Sequence, residues 1–234
     1  TTLFRSTYQT EEEAAKAPND PNAQGRKKHA GDAIFEDVNN DGQLDSKDMI
    51  FMGYVRPDKV GGIINTLKYK GLTVRIVMDW AMGHVIDNGF KGQIMGSSRN
   101  NNNAIKEAMT NSWQSANDGS KYPKYTVQSD YDYQYRNHMR WDNQIGSSAS
   151  GSTNNSLYFS KGDYLAFREV SLSYMLPLSW IRKMKLSAVE VFAGAYNIGY
   201  IKKYDGMFPE IYTGVDYGIY PRPRQYNMGV KINF

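Results

Sequence analysis

The run from Gln225 to Phe234 constrains this chain most. Tyr226, Met228, Val230, Ile232 and Phe234 alternate without a break with Gln225, Asn227, Gly229, Lys231 and Asn233. Successive side chains of a strand point to opposite faces, so the segment has one apolar and one polar face. Leu72, Val74, Ile76, Met78 and Trp80 repeat the pattern against Thr73, Arg75, Val77 and Asp79. Gly61-Gly62 leads into Ile63, Asn65, Leu67 and Tyr69 at the same spacing. Lys70-Gly71 joins the two runs, which read as a hairpin with a tight turn. Val170, Leu172, Tyr174 and Leu176 alternate with Glu169, Ser171 and Ser173. A further strand is expected over 186–199, although Val189-Glu190-Val191-Phe192 mixes its faces. The expected class is all-β, with strands over 62–70, 72–82, 160–176, 186–199 and 224–234.

The connections between these strands are alternately short (70–71 and 177–185) and long (83–156 and 200–222). In an antiparallel up-and-down array all short turns fall at one rim and all long loops at the other. That is the layout of outer-membrane barrels, with short periplasmic turns and long outer loops. Period two does not distinguish inward from outward, so a soluble sandwich with its apolar face inside fits the alternation equally well. The polar faces, rich in Thr, Ser, Asn, Gly, Lys and Gln, suit a wet lumen better than a second packed sheet. No run approaches ~18 apolar residues, which excludes a membrane-spanning helix. Five strands cannot close a barrel with a lumen, since such barrels start at about eight. On the membrane reading the chain is therefore expected to be part of something longer, and Thr1 opens no leader sequence.

Charge and composition remove other classes. The net charge is +4, and the basic stretches Arg26-Lys27-Lys28 and Arg182-Lys183-Met184-Lys185 are too short for a nucleic-acid footprint. There is no cysteine, hence no disulfide, thiolate metal site or cysteine nucleophile. His29, His84 and His138 stand alone in polar segments without a partner at catalytic spacing. Glu169 and Glu190 could face each other across neighbouring strands as a glycosidase carboxylate pair. Lumen-facing polar residues that hydrogen-bond in a wet interior are the simpler account of the two glutamates, and no enzyme is expected. Residues 9–17 look like a short helix capped by Thr10. Ile105, Ala108, Met109 and Trp113 fall at helical spacing inside the long insert.

Two patterns suggest binding. Asp37-x-Asn39-x-Asp41-Gly42-Gln43-Leu44-Asp45-x-x-Asp48 has the spacing of a calcium loop. Side-chain oxygens fall at positions 1, 3, 5, 9 and 12, the Gln43 carbonyl at 7, and Gly42 at the sharp turn. Asp48 is one methylene shorter than the usual Glu, and Leu44 is expected to tuck inward. The competing account is a metal-free Asx-turn cluster. The second pattern is aromatic. Tyr131, Tyr133, Tyr135 and Trp141 lie in one long loop, and Tyr204, Phe208, Tyr212 and Tyr217 in the other. Rings with polar tips stack on sugars or peptide bonds, anchor interfaces, or pack loop against loop.

Several stretches resemble one family. Gly31-Asp32-Ala33-Ile34-Phe35-Glu36-Asp37-Val38-Asn39-Asn40-Asp41-Gly42-Gln43-Leu44-Asp45 is similar to the "GDIKFKDVNGDGxID" stretch of SusC/RagA-type TonB-dependent outer-membrane transporters of the Bacteroidetes. Tyr69-Lys70-Gly71-Leu72 resembles their "YKGFDL" turn. The segment from Lys161 to Pro177 resembles "GDYLRLKNVTLGYTLP", and Tyr220-Pro221-Arg222-Pro223-Arg224-Gln225-Tyr226 resembles "YPRPRTYTLG". The matches follow the family's order. Ala195-Tyr196-Asn197 departs from the family's Gly-Gln-Asn. The resemblance implies the C-terminal segment of a plugged barrel of about 22 strands. It further implies partners: the remaining plug and strands of the same transporter, a SusD-like surface lipoprotein as lid, TonB through the missing part, and membrane lipid. The cargo would be oligosaccharides or oligopeptides. Phe234 is expected to be the terminal aromatic that the assembly machinery reads. The alternative function is a soluble, secreted, calcium-stabilised glycan-binding β-domain.

Overall fold

The alternating segments form one five-stranded antiparallel meander: β3 (Lys59–Tyr69), β4 (Leu72–Met82), β7 (Tyr164–Met175), β8 (Ala188–Lys202) and β9 (Gln225–Asn233). The computed structural model describes residues 1–96, 105–126, 130–137 and 155–234. They fall into two units, and the meander with its flanking segments (54–84, 161–210 and 219–234) is one of them.

Its register follows from the hydrophobic pattern. Leu67, Val74, Leu172, Ala193 and Met228 form one continuous row across all five strands, and Tyr69, Leu72, Tyr174, Val191 and Val230 form the next on the same face. A slip of one residue would turn every one of these side chains to the polar face. The β3–β4 turn is two residues long, with φ of 45° at Lys70 and 86° at Gly71, the primed turn that matches strand twist. On β8, Val189 and Val191 join the apolar face. Glu190 and Phe192 join the other, where the Phe192 ring covers Gly229 opposite. On the apolar face Trp80 covers Gly61 in the same way.

Strand ends differ from expectation for identifiable reasons. The expected strand over 160–176 is divided at Gly162-Asp163 into a short β6 (Phe159–Lys161) and β7. The strand expected to stop at 199 runs to Lys202. Asn197 takes φ 52° and lets β8 absorb one more residue than β7 between the pairs Glu169–Tyr196 and Phe167–Gly199. The ladder then resumes at Phe167–Gly199 and runs to Tyr164–Lys202. A second irregularity lies between β4 and β7, where Arg168 and Glu169 together oppose Val77. Such a bulge turns adjacent residues toward one face.

The other unit comprises 1–53, 85–160 and 211–218. Here β1 (Phe4–Thr7) pairs with β2 (Ala33–Phe35), and Ala33, Phe35 and Leu44 form a small core with Phe4 packed on it. Leu44 thus tucks inward as its loop position demands. α1 (Glu11–Ala14) is capped by Thr10, whose hydroxyl accepts from Glu13 N at 3.2 Å. The long insert holds more structure than the single helix expected. It carries β5 (Val85–Asp87), α2 (Gly89–Gly96), α3 (Lys106–Thr110) and α4 (Tyr131–Arg136). Met95, Ala108, Tyr122 and Tyr158 bury a second core between these pieces.

Candidate functional site

The meander has two unlike faces. Its apolar face is open: Met228 is 88% exposed, Tyr226 73%, Leu67 62% and Val230 57%. Water-exposed apolar area on that scale marks contact with another apolar phase. Tyr69, Tyr174 and Phe234 stand at the short-turn end of this face, and Trp80, Phe167 and Tyr226 toward the long-connection end. From Tyr226 to Phe234 is about 26 Å along the strand, or roughly 20 Å of height at barrel tilt, close to the apolar band between aromatic girdles. Phe234 itself is 94% exposed at the foot of that row.

The opposite face carries charge in pairs. The bulge turns Arg168 and Glu169 to this side. Glu169 takes Arg75 Nε at 3.3 Å and the Ser171 hydroxyl at 2.7 Å. Arg168 grips the Asp79 carboxylate with both Nε and Nη2, the latter at 2.7 Å. Arg168 also reaches Glu210, in the connection after β8, at 2.5 Å. Glu210 accepts the Tyr200 hydroxyl at 2.6 Å and lies 3.2 Å from Arg222 Nη2, with its side chain 1% exposed. The chain Asp79–Arg168–Glu210–Arg222 therefore fastens residues 203–210 and 219–224, the two ends of the connection, to the polar wall. The sequence reading missed Glu210 and Arg222. The available signal was the Arg168-Glu169 pair, which breaks the alternation at the bulge.

Glu169 and Glu190 do not meet. Glu169 is opposite Tyr196 on β8 and Glu190 is opposite Met175, six positions along the strand and about 20 Å away. A carboxylate pair of glycosidase spacing is thus absent there. His84 is buried, and among the described residues its Nδ1 has no hydrogen-bond partner. Burial pushes its pKa below the ordinary value, and Asp163 nearby opposes that shift. His29 lies 3.1 Å from Glu11. His138 lies outside the described residues.

The aromatic residues separate by role. Tyr204 and Phe208 are buried: Lys202 stands over the Tyr204 ring, and Phe208 packs edge-on to Tyr200 at 5.9 Å under Arg222. They form the connection's own core. In the other unit, Tyr212 is 82% exposed and Tyr217 is half-exposed. Tyr135 lies beneath the Arg26 guanidinium at 4.6 Å. The basic stretch 26–28 clasps α4: Arg26 pairs with Asp132, and buried Lys28 donates to the Arg136 carbonyl. Trp141 and the side chains of Tyr131 and Tyr133 lie outside the described residues.

The calcium-type loop closes on its own backbone. Asp37 accepts from the Asp41 and Gly42 amides at 3.2 and 2.8 Å. Asn39 accepts from Asp41 N at 3.1 Å, Asp41 from Gln43 N at 3.0 Å, and Asp45 from Lys47 N at 2.7 Å. Asp48, buried, accepts Val38 N and Asp45 N with its two oxygens at 2.8 Å each. The Lys47 ammonium lies 3.4 Å from Asp41 and 3.7 Å from Asp45. The Asn39 hydrogen bond, with the Gln43 amide and Lys47, holds the Asp41 carboxyl below its usual range. Among the described residues no group of three or more carboxylate or histidine side chains gathers around a metal-sized point. The oxygen-rich donor set is of the kind a hard cation takes. In this arrangement Lys47 supplies the positive charge.

A meander with one open apolar face, aromatic ends and an ion-paired polar face is a wall segment of a large antiparallel transmembrane β-barrel. No protein-family profile matches the chain. Two TonB-dependent receptors of Formosa agariphila do. Receptor P3 is 25% identical over 216 residues, 87% of this chain and 19% of the receptor. Receptor P26 is 23% identical over 244 residues, 99% of this chain and 22% of the receptor. Solved structures of the RagAB peptide transporter match all of this chain and 22% of theirs at 18% identity, with TM-scores of 0.64 for one structure, 0.62 for the open-open state and 0.63 for the closed-closed state. The chain thus spans about a fifth of the length of these relatives. These likenesses bear out the resemblance to SusC/RagA-type transporters: the chain is homologous to TonB-dependent receptors and has the fold of a RagAB segment.

Proposed function

We propose that the chain is a wall-forming part of a TonB-dependent importer in the bacterial outer membrane. It would take up oligosaccharides or oligopeptides with a SusD-like surface lipoprotein as lid. The two-faced sheet carries this reading. Its apolar face wants lipid, and its polar face, with every acid but Glu190 in a named ion pair, suits a wet lumen. Among the described residues β3 and β9 each have a neighbouring strand on one side only. Unpaired backbone groups in lipid cost several kcal/mol each. The remaining strands and plug of the same transporter are therefore the obligatory partners, and TonB would act through them. The soluble glycan-binding alternative must leave the apolar face in water. Exposed Tyr212 and Tyr217 are the aromatic candidates for lid or cargo contact. Calcium would load the 37–48 loop by displacing the Lys47 ammonium from Asp41 and Asp45.

The test is uptake by cells carrying the full-length gene, with labelled oligopeptides and oligosaccharides supplied separately. Accumulation of one class that vanishes on deleting either the transporter or TonB is expected. Uptake indifferent to both deletions, with the protein in the soluble fraction, would overturn the reading.

A further inference from the structure

The turn between β7 and β8 is unlike a simple rim connection. It holds the short helix α5 (Leu178–Ile181), a 3-10 turn over Arg182–Met184, and Lys185 at φ 57°. α5 is packed against β8, and Ile181 is buried. Val189, on the apolar face, is also buried, although its neighbours Val191 and Ile232 on that face stay open. The turn therefore folds toward the apolar side of the sheet. Yet its outer surface is apolar as well: Trp180 is 64% exposed, Met184 59% and Leu178 57%. Arg182, Lys183 and Lys185 are interleaved with them, and no acidic residue occurs from Leu176 to Val189. None of the three cations forms an ion pair among the described residues.

Resting on the membrane reading, we propose that this turn is an interfacial anchor for anionic phospholipid at the short-turn rim. Leu178, Trp180 and Met184 dip into the headgroup boundary, continuing the lipid-facing surface that Tyr174 and Phe234 end. Arg182, Lys183 and Lys185 meet lipid phosphates. A tryptophan suits that depth because its ring is apolar and its N–H wet. Long basic side chains lay their stems on apolar surface and keep their charge at the phosphate level. Three cations without an acid complement an anionic leaflet, and juxtamembrane Lys and Arg each add to such attraction. A polar turn would need none of the three exposed apolar side chains.

The test uses the full-length transporter in nanodiscs of phosphatidylcholine with phosphatidylglycerol. This segment has no cysteine of its own. With other cysteines removed, Met184→Cys, Val230→Cys and Tyr220→Cys carry an environment-sensitive fluorophore in separate preparations. Nitroxide lipids labelled near the headgroup should quench the probe at 184 more than lipids labelled at the chain end. Val230 should be quenched as well, and Tyr220 should not. The R182Q/K183Q/K185Q variant should lose roughly half or more of its excess co-purifying phosphatidylglycerol. Quenching at 230 without quenching at 184 would overturn the anchor and leave the patch to a periplasmic protein. Absence of quenching at 230 would instead overturn the membrane reading beneath it.

Discussion

Glu210→Ala should free the connection after β8 while leaving the barrel wall intact. The Glu210 carboxylate is buried and answers Arg168, Arg222 and Tyr200. Breaking a buried ion pair by removing one partner costs roughly 3–5 kcal/mol. Two features lower that figure here. Arg168 keeps its two-point grip on Asp79, and Arg222, with its side chain 50% exposed, can rehydrate. A local cost of about 2–3 kcal/mol remains, chiefly from the stranded Tyr200 hydroxyl and half of the Arg168 charge. Every 1.4 kcal/mol is about tenfold, so amide hydrogen exchange over 204–210 should accelerate roughly 30- to 150-fold. Glu210→Gln keeps the size and the Tyr200 bond and should fall between parent and alanine. The measurement is exchange mass spectrometry on the full-length transporter in nanodiscs. Unchanged exchange over 204–210 in the alanine variant would refute the clamp. Equal acceleration throughout β7 and β8 would refute its local character.

Three further outcomes follow from the same geometry. Val230→Arg should cost roughly 2–4 kcal/mol of barrel stability while Asn227→Arg, on the polar face, is tolerated; equal outer-membrane levels of folded protein would reverse the assignment of faces. His84 is held neutral by burial, with its pKa below 6.5, so the unfolded state binds more protons between the two values. The stability it contributes is present above pH 6.5 and is lost as pH falls through the depressed value. Protection factors at 83–87, corrected for the intrinsic pH dependence of amide exchange, should therefore fall on acidification, and His84→Gln should flatten the profile. For the 37–48 loop, millimolar calcium should slow proteolysis, Lys47→Ala should tighten the dependence by removing a competing cation, and Asp41→Ala should abolish it. Protease resistance indifferent to calcium in all three proteins would leave the loop to its Asx turns.

The face assignments were legible because they rest on a strict two-residue period, which survives any ambiguity about what lies on either side. Met228 and Leu172 are on one face in the sequence and in the sheet alike. Leu44 was legible from its loop position. Segment ends were not. Asn197 and Gly199 look like a strand terminus, yet they accommodate an extra residue inside a ladder that continues to Lys202. The second core of Met95, Ala108, Tyr122 and Tyr158 joins residues 63 positions apart without any common period. Tyrosine clusters gave the same signal whether buried, as Tyr204 is, or open, as Tyr212 is.

The places where the alternating pattern fails are also where the wall acquires its chemistry. A perfect strand would put Arg168 on the apolar face, at its long-connection end and away from the carboxylates of the polar face. The bulge rotates it beside Glu169 to the polar side, and each then finds a partner on β4: Asp79 for the arginine and Arg75 for the glutamate. Because Arg168 has donors left over, the same rotation supplies the hold on Glu210. The extra residue on β8 falls beside it, between the pairs Glu169–Tyr196 and Phe167–Gly199, and above it Tyr200 turns to the same carboxylate. Two register defects on adjacent strands thus converge on one loop residue. Straightening β7 by deleting Arg168 would cost the loop its clamp as well as the sheet its bulge. That makes the irregularity a positioning device for the connection and not an accident of strand pairing.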